Sequence, residues 1–371
     1  MKKSIIWIVI IVVVIGALVL IGQKTEPNTE TIKIGFIGPL SGFGAAWGEE
    51  QKQTVEIAVD EINAAGGVDG KKMEVIYEDG KCVGKDATTA AQKLISIDKV
   101  KIILTICGDE SVAVAPIAEK NRVLMMAMWA THPGLTGAGE YIFRNSYSDV
   151  GTGKLMAETV NQKYQKVAVI TEISDVQIGL RDAFKKYSKS QVIEENYPPE
   201  TKDFRSYALD LISEKPEAAI LIPNSPLGGL AALQQLRQLG YKGPIYGNYF
   251  GEVNDVLKSP EAQGMIFFTD PDVGDNEIKN KLFNNLKTST GNEPNFKFAV
   301  AVTYDSVYII KQAIEKVGLD TGDLKNYLHN LKDFKGVMGT YGFNDKGDAV
   351  GYVPAVKEIK NGQVVGLDIG N

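Results

Sequence analysis

Thiols and imidazoles are scarce: 371 residues contain two cysteines and two histidines. His132 and His329 have no second histidine or thiol near them in sequence, so neither suggests a metal site. The H-E-x-x-H run of metalloproteases is absent, and so is the C-x-x-C of a redox dithiol. "GPLSG" does not match the G-x-S-x-G turn that exposes a nucleophilic serine. Adjacent acids at Glu49-Glu50, Asp60-Glu61 and Glu194-Glu195 read as solvated helix or loop faces rather than catalytic pairs. No long block of one charge occurs, and 46 acidic against 40 basic residues leave a net charge of −6. That balance offers no electrostatic reason to expect nucleic acid. The chain lacks the residue sets of an enzyme, and nothing in it calls for a cofactor.

Two near misses narrow the field further. Gly42, Gly44 and Gly48 follow the first strand and precede a helix, but the last spacing is one residue too long for the dinucleotide fingerprint. Either a plain strand-to-helix turn or backbone N–H groups offered to an anion such as a carboxylate fits that pattern. "DVGTGKL" ends like a phosphate loop, yet Ser148 stands where Gly belongs and Leu155 where a magnesium-holding hydroxyl belongs. It reads as a helix start with Asp149 as cap.

What is present begins at the N-terminus. Met1-Lys2-Lys3-Ser4 is basic, and residues 5–22 carry no charge. As a helix that run spans roughly 27 Å, about the hydrocarbon thickness of a bilayer. Small residues for a cleavage site are nearly absent from "LVLIGQK", and Gln23 stands where a lipid-accepting cysteine would be. The expectation is an uncleaved membrane anchor with the rest of the chain exported. In an exported chain, Cys82 and Cys107 favour a disulfide over a metal site.

From Thr31 onward, β-rich runs alternate with helical periodicity. "TIKIGFIG", "KKMEVIYED", "VKIILTI" and "RVLMMAM" are strands, separated by helices over 49–65, "KDATTAAQKLISI" and "SVAVAPIAEKN". The order restarts after Arg144 with "KVAVIT", "QVIEENY", "AAILIPN" and "GPIYGN" between helical segments. Two such series predict two α/β lobes, each a doubly wound parallel sheet, with a cleft between them. A long helix over 299–317 and the strands "GTYGF" and "YVPAVKEI" are left to complete either lobe. Aromatic residues gather at predicted strand ends: Trp47, Trp129, Tyr246, Tyr249 and Phe250. Together they suggest an aromatic-walled cleft, since ligand pockets are mostly apolar with a few placed polar groups.

At this point the sequence resembles a known family. "IGFIGPLSG", "AVDEINAAGGVDGKKMEVIYEDGKC", "APIAEKNRV", "ATHPGLTGAGEYIFR", "TYDSVYIIKQAIEK" and "GTYGFNDKGD" occur in the order and at the intervals of type I periplasmic binding proteins. The likeness is to the leucine/isoleucine/valine-binding and amide-binding branch of ABC-transporter receptors, and it runs from Thr31 nearly to the end. It implies two lobes joined by three crossings that close on a ligand. The implied division is 1–30 for the anchor and linker, 31–147 with 276–335 for one lobe, and 148–275 with 336–371 for the other. Cys82 and Cys107 match a disulfide of leucine-binding relatives.

The resemblance also implies a ligand set. Trp129, Ala130 and Thr131 fall on a loop that holds the ligand's charged groups, with the Thr131 hydroxyl expected on a carboxylate. Trp47 falls where relatives often carry a pocket tyrosine, and Tyr304 lies in the matching "TYDSVY" motif. Three departures stand out. Gly108 occupies the place of a usual serine, with Ser111 three residues on; Val176 replaces a usual tyrosine; and Tyr249 replaces the acid that often faces an ammonium. An unpaired buried ammonium is costly, so the loss of that acid argues against an ordinary α-amino acid unless Glu110 or Glu252 substitutes. The expected function is a monomeric, membrane-tethered solute-binding protein that passes a small amino-acid-like or amide-like solute to an ABC permease. The rival is a tethered sensor of the same fold, which would signal through a partner protein because the chain carries no signalling domain.

Overall fold

The computed structural model describes residues 31–367. Among these residues no helix is long and apolar enough to cross a membrane, and the expected anchor at 5–22 lies outside them.

The first lobe is built on β1 (Ile32–Gly38), β2 (Met73–Asp79), β3 (Ile102–Thr105), β4 (Leu124–Ala127) and β5 (Ile142–Arg144), in the order β2-β1-β3-β4-β5. Every pairing is parallel. The inner strands β3 and β4 are largely apolar on both faces because both are covered, while the edge strand β2 carries three acids. Ile103 and Met125 face α2 (Gly84–Ser96) and α3 (Gly108–Lys120). Ile34, Leu104 and Met126 face α1 (Ala45–Ala64) on the other side. Glycine shapes the first turn: Gly42 has φ +78°, and a Cβ at Gly48 would collide with the Pro39 carbonyl. Of the two readings of this glycine set, turn geometry and close packing account for Gly42 and Gly48.

The second lobe holds β6 (Lys166–Glu172), β7 (Gln191–Tyr197), β8 (Ala218–Ile222), β9 (Ile245–Gly247), β10 (Ile266–Thr269), β14 (Ala355–Lys360) and β15 (Gln363–Gly366). Their order is β15-β14-β10-β9-β8-β6-β7, with β14 and β15 antiparallel at the edge. Helices α4 (Asp149–Asn161) and α5 (Asp175–Tyr187) cover one face, and α6 (Arg205–Ser213) and α7 (Pro226–Gln238) the other. Ser148, not Asp149, caps α4: its hydroxyl accepts from the Val150 N–H, and Asp149 is the first helical residue.

The chain crosses between lobes after β5, after β10 and before β14. After β10 it adds α8 (Glu277–Thr290), α9 (Lys297–Val317) and α10 (Thr321–Asn330) to the first lobe. The last crossing differs from expectation. Residues 336–350 do not belong to the second lobe: β11 (Phe334–Gly336), β12 (Gly339–Phe343) and β13 (Ala349–Val350) form a small antiparallel sheet on the first-lobe core. Alternation explains it, since Phe334, Tyr341 and Phe343 point into that core and Arg144 bridges to Asp348.

Candidate ligand-binding cleft

Parallel strands bring their carboxyl ends to one edge, which is where open α/β sheets hold ligands. In the first lobe β4 runs out into Trp129, Ala130 and Thr131; in the second, β10 runs out into Asp270 and β9 into Asn248 and Tyr249. These ends meet. The Trp129 indole N–H lies 3.3 and 3.4 Å from the two Asp270 carboxylate oxygens, and the Tyr147 hydroxyl donates to Asp270 at 2.8 Å. The Thr131 hydroxyl donates to Asp149 at 2.7 Å, and the Asp149 N–H donates to the Thr131 carbonyl at 2.8 Å. Tyr249 donates its hydroxyl to the Asn224 carbonyl at 2.5 Å, inside the second lobe. A ring wall backs Trp129: Phe296 at 5.6 Å and Trp47 at 6.3 Å between centroids.

The electrostatics here are one-sided. Burial pushes Asp149 up to about 7, opposed by hydrogen bonds from Thr131 and Thr152 and by the Arg144 charge, while Asp270 adds to the rise. Burial likewise pushes Asp270 up to about 6, against the Tyr147 and Trp129 hydrogen bonds. Tyr249 is held neutral by burial and by the nearby carboxylates Glu172, Asp149 and Asp270. Arg144 is committed elsewhere, to the Thr131 and His132 carbonyls, the Thr136 hydroxyl and Asp348. Lys357 is shared between Glu252 at 2.9 Å and Asp272 at 2.8 Å.

Other expected site residues lie elsewhere. Ser111 is fully buried and shares a hydrogen bond with the Thr105 hydroxyl at 2.7 Å. Glu110 is fully buried at the start of α3, where it accepts the Ile106 and Cys107 backbone N–H groups. Tyr304 is buried on α9 and donates to Glu61, with Tyr308 donating to the same carboxylate. Ala130 is packed in the first-lobe core, and Tyr246 and Phe250 are core residues of the second. Gly108 does face the other lobe: a Cβ there would press on Val176 and on His132. Glu252 is exposed and paired with Lys357. Neither acid thus contacts Trp129, Thr131 or Tyr249 in the way expected of a substitute for the missing one.

Four contributors escaped sequence reasoning: Tyr147, Asp270, Phe296 and Asp149, which the sequence suggested only as a helix cap. Asp270 carried a signal, because "IFFTDPD" repeats the grammar of "LMMAMWATHP", a short buried run that stops at a polar or aromatic residue and a proline.

Cys82 and Cys107 are joined, with Cα atoms 5.3 Å apart. The bridge ties the loop after β2 to the residue before α3, at the carboxyl ends of β2 and β3.

Two parallel-sheet lobes, three crossings and a polar, ring-lined seam between strand ends define a two-lobed binding protein. A family model described as periplasmic binding protein matches residues 31–362. A Leu/Ile/Val-binding protein homologue of Brucella melitensis is 31% identical over 350 residues, 91% of this chain and 94% of that protein. The solved structure of a leucine-binding protein from Thermotoga maritima superposes with a TM-score of 0.79 at 25% identity, over 91% of this chain and 98% of that one. A branched-chain amino acid transporter substrate-binding protein from Streptococcus pneumoniae, in complex with isoleucine, gives 0.76 at 27% identity, over 90% and 98%. The chain therefore belongs to the periplasmic binding protein family, as a solute-binding protein of the branched-chain amino acid ABC-transporter type.

Proposed function

We propose that this protein captures a small amino-acid-like or amide-like solute between its lobes and delivers it to an ABC-transporter permease. It works as a monomer at the outer face of the cell membrane, held there by residues 5–22. The observation that carries this reading is the meeting of Trp129 and Thr131 from one lobe with Asp149 and Asp270 from the other. Each contact spans the cleft, so a solute seated among these groups would bind the closed form better than the open one and shift the lobes toward closure. The ring wall supplies apolar contact area, and the hydroxyls and carboxylates supply orientation. No covalent step is involved: the chemistry is capture and release.

Thermal-shift screening of the full chain in detergent against amino acids, amides, urea-like compounds and aromatic acids tests the capture. A concentration-dependent rise in Tm with one solute class is expected, and a flat response to every class would refute it. N-terminal sequencing of exported protein tests the tether, since a start near Gln23 or Lys24 would show a cleaved leader instead.

A further inference from the structure

The acid that many relatives set against an ammonium is replaced here by Tyr249, whose hydroxyl is already given to the Asn224 carbonyl. A neutral cleft would follow if nothing else changed. Instead Asp270 sits at the end of β10, held by the Tyr147 hydroxyl and the Trp129 indole N–H, and forms no ion pair among the described residues. Asp149 stands close enough for the two carboxylates to feel one another. The two nearby cations are both engaged: Arg144 is paired with Asp348 and feels Asp149 only through its charge, and Lys357, which also acts on Asp270 through its charge, is paired with Glu252 and Asp272. The charge left over at this end of the cleft is negative.

Two further observations point the same way. The Thr131 proton is given to Asp149, so at this hydroxyl a solute meets lone pairs, and only a hydrogen-bond donor is welcome there. This reverses the expectation that Thr131 grips a carboxylate. Trp129, Trp47 and Phe296 also lie against the same seam, and ring faces attract a cationic group and gain nothing from an anionic one. Side-chain donors hold Asp270 in place without neutralising it. That arrangement positions a carboxylate for a charged partner arriving from the cleft.

We propose that Asp270 is the anionic counter-group for a cationic nitrogen on the solute, taking over from the position held by Tyr249. The cleft selects solutes that carry an ammonium, substituted ammonium or amidinium group, and rejects those whose only charge is negative. Asp149 with the Thr131 lone pairs is the second acceptor for the same group. This assignment rests on the solute-binding reading above and adds the charge of the solute to it.

The test uses the full chain in detergent, calorimetry, and four matched probes: L-leucine, 3-methylbutylamine, choline and 4-methylpentanoate, the last being the leucine skeleton without its nitrogen. At least one of the three cationic probes should bind, and 4-methylpentanoate should not. Asp270→Asn keeps an acceptor for Tyr147 and Trp129 but removes the charge. It should weaken the cationic probe by about tenfold or more, while Asp270→Glu retains most of the affinity. Binding of 4-methylpentanoate as tightly as the cationic probes overturns the assignment, as does unchanged affinity in Asp270→Asn. Any other solute found by screening falls under the same rule: a binder without a cationic nitrogen counts against Asp270 and leaves solute capture standing. A chain that binds nothing in either experiment defeats both readings together.

Discussion

The carboxyl ends of β3 and β10 lead to acids of unequal burial and opposite meaning, Glu110 fully buried and Asp270 half-buried. At the disulfide end, Glu110 accepts backbone N–H groups from the turn that begins its own helix, and Cys107 of the same turn is bonded to Cys82. At the Trp129 end, Asp270 accepts from side chains outside its own lobe, on the opposite lobe and on the crossing. A carboxylate held by the backbone of its own lobe is in place when that lobe folds. One satisfied across a cleft is completed only when the lobes meet, so it can report on what lies between them. Burial alone therefore does not identify a binding acid; the origin of its donors does. A cavity of about 340 Å³ beside the disulfide, lined by Asp109, His132 and Asp175 among others, brings two acids from opposite lobes together with no indole, phenol or phenyl ring in its lining.

The comparison breaks most readily at the disulfide. The bridge spans a sequence separation of 25, and closing a loop of that size limits the unfolded chain by about 3–4 kcal/mol. Replacing Cys82 and Cys107 together with Ser should lower unfolding stability by roughly that amount. Affinity for any bound solute should stay within about threefold, because neither cysteine is hydrogen-bonded to Trp129, Thr131 or Asp270. Denaturant melts beside calorimetry separate the two; a matching collapse in affinity would show that the two ends are coupled.

Next in size is pH. Burial raises Glu110 from an ordinary 4.5 to about 8, with the backbone N–H bonds opposing. The same cause raises Asp149 and Asp270 from 3.8 to about 7 and about 6. An acid whose folded value is raised contributes stability below its unfolded value and loses it as pH climbs through the folded one. The solute-free protein should therefore lose stability as pH climbs from about 4 to about 8, with Glu110 and Asp149 still contributing to the loss above pH 6. Glu110→Gln should flatten the upper part of that curve and Asp270→Asn the lower part. A cationic solute should offset the loss from Asp270 and leave the loss from Glu110 unchanged. Stability that rises steadily over this range would contradict the burial of these acids.

Most of the fold was legible because its period is simple. Ile34, Leu104 and Met126 on one face and Ile103 and Met125 on the other make short, mostly apolar strands, and the helices between them carry their own spacing. The assignment of residues 336–350 went to the wrong lobe for a physical reason. Tyr341 and Phe343 show the alternation of any half-buried strand, and only the Arg144–Asp348 pair and the first-lobe core decide where that strand docks. The site was legible in outline and not in detail. Trp129 and Thr131 announced themselves at a strand end, whereas Tyr147 and Phe296 enter through crossings whose geometry no local pattern encodes. Ser111 and Glu110 lie on the first turn of α3 and bond back to the end of β3 and the turn after it, a direction that no spacing in the sequence encodes.

Thr131 sharpens the contrast from the other side. Its hydroxyl bonds a carboxylate of the opposite lobe at 2.7 Å, and a hydrogen bond to a charged group contributes about 1.5–3 kcal/mol. Thr131→Ala should weaken a cationic solute by about tenfold or more. Thr131→Ser, which restores the hydroxyl, should recover most of that loss in calorimetry. If Ser does not rescue, the methyl group and its packing matter more than the bond to Asp149.

The smallest effect is expected at Tyr249, although the missing acid first drew attention there. Its hydroxyl donates to the Asn224 carbonyl at 2.5 Å, a contact wholly inside the second lobe. Tyr249→Phe leaves that half-buried carbonyl without this donor, and a neutral hydrogen bond of this kind contributes about 0.5–1.5 kcal/mol to stability. Solute affinity should change by no more than about threefold, because the ring stays and the charge at Asp270 stays. Tyr249→Glu is the stronger probe of the same idea. It adds a carboxylate among Glu172, Asp149 and Asp270, so in the solute-free protein it should be destabilising, with the new acid protonated near neutral pH. An α-amino acid would then find two acids where one suffices, and the gain in its affinity should be modest. A large gain for leucine in Tyr249→Glu, with little change in Asp270→Asn, would place the ammonium at position 249 and return Asp270 to a purely lobe-closing role.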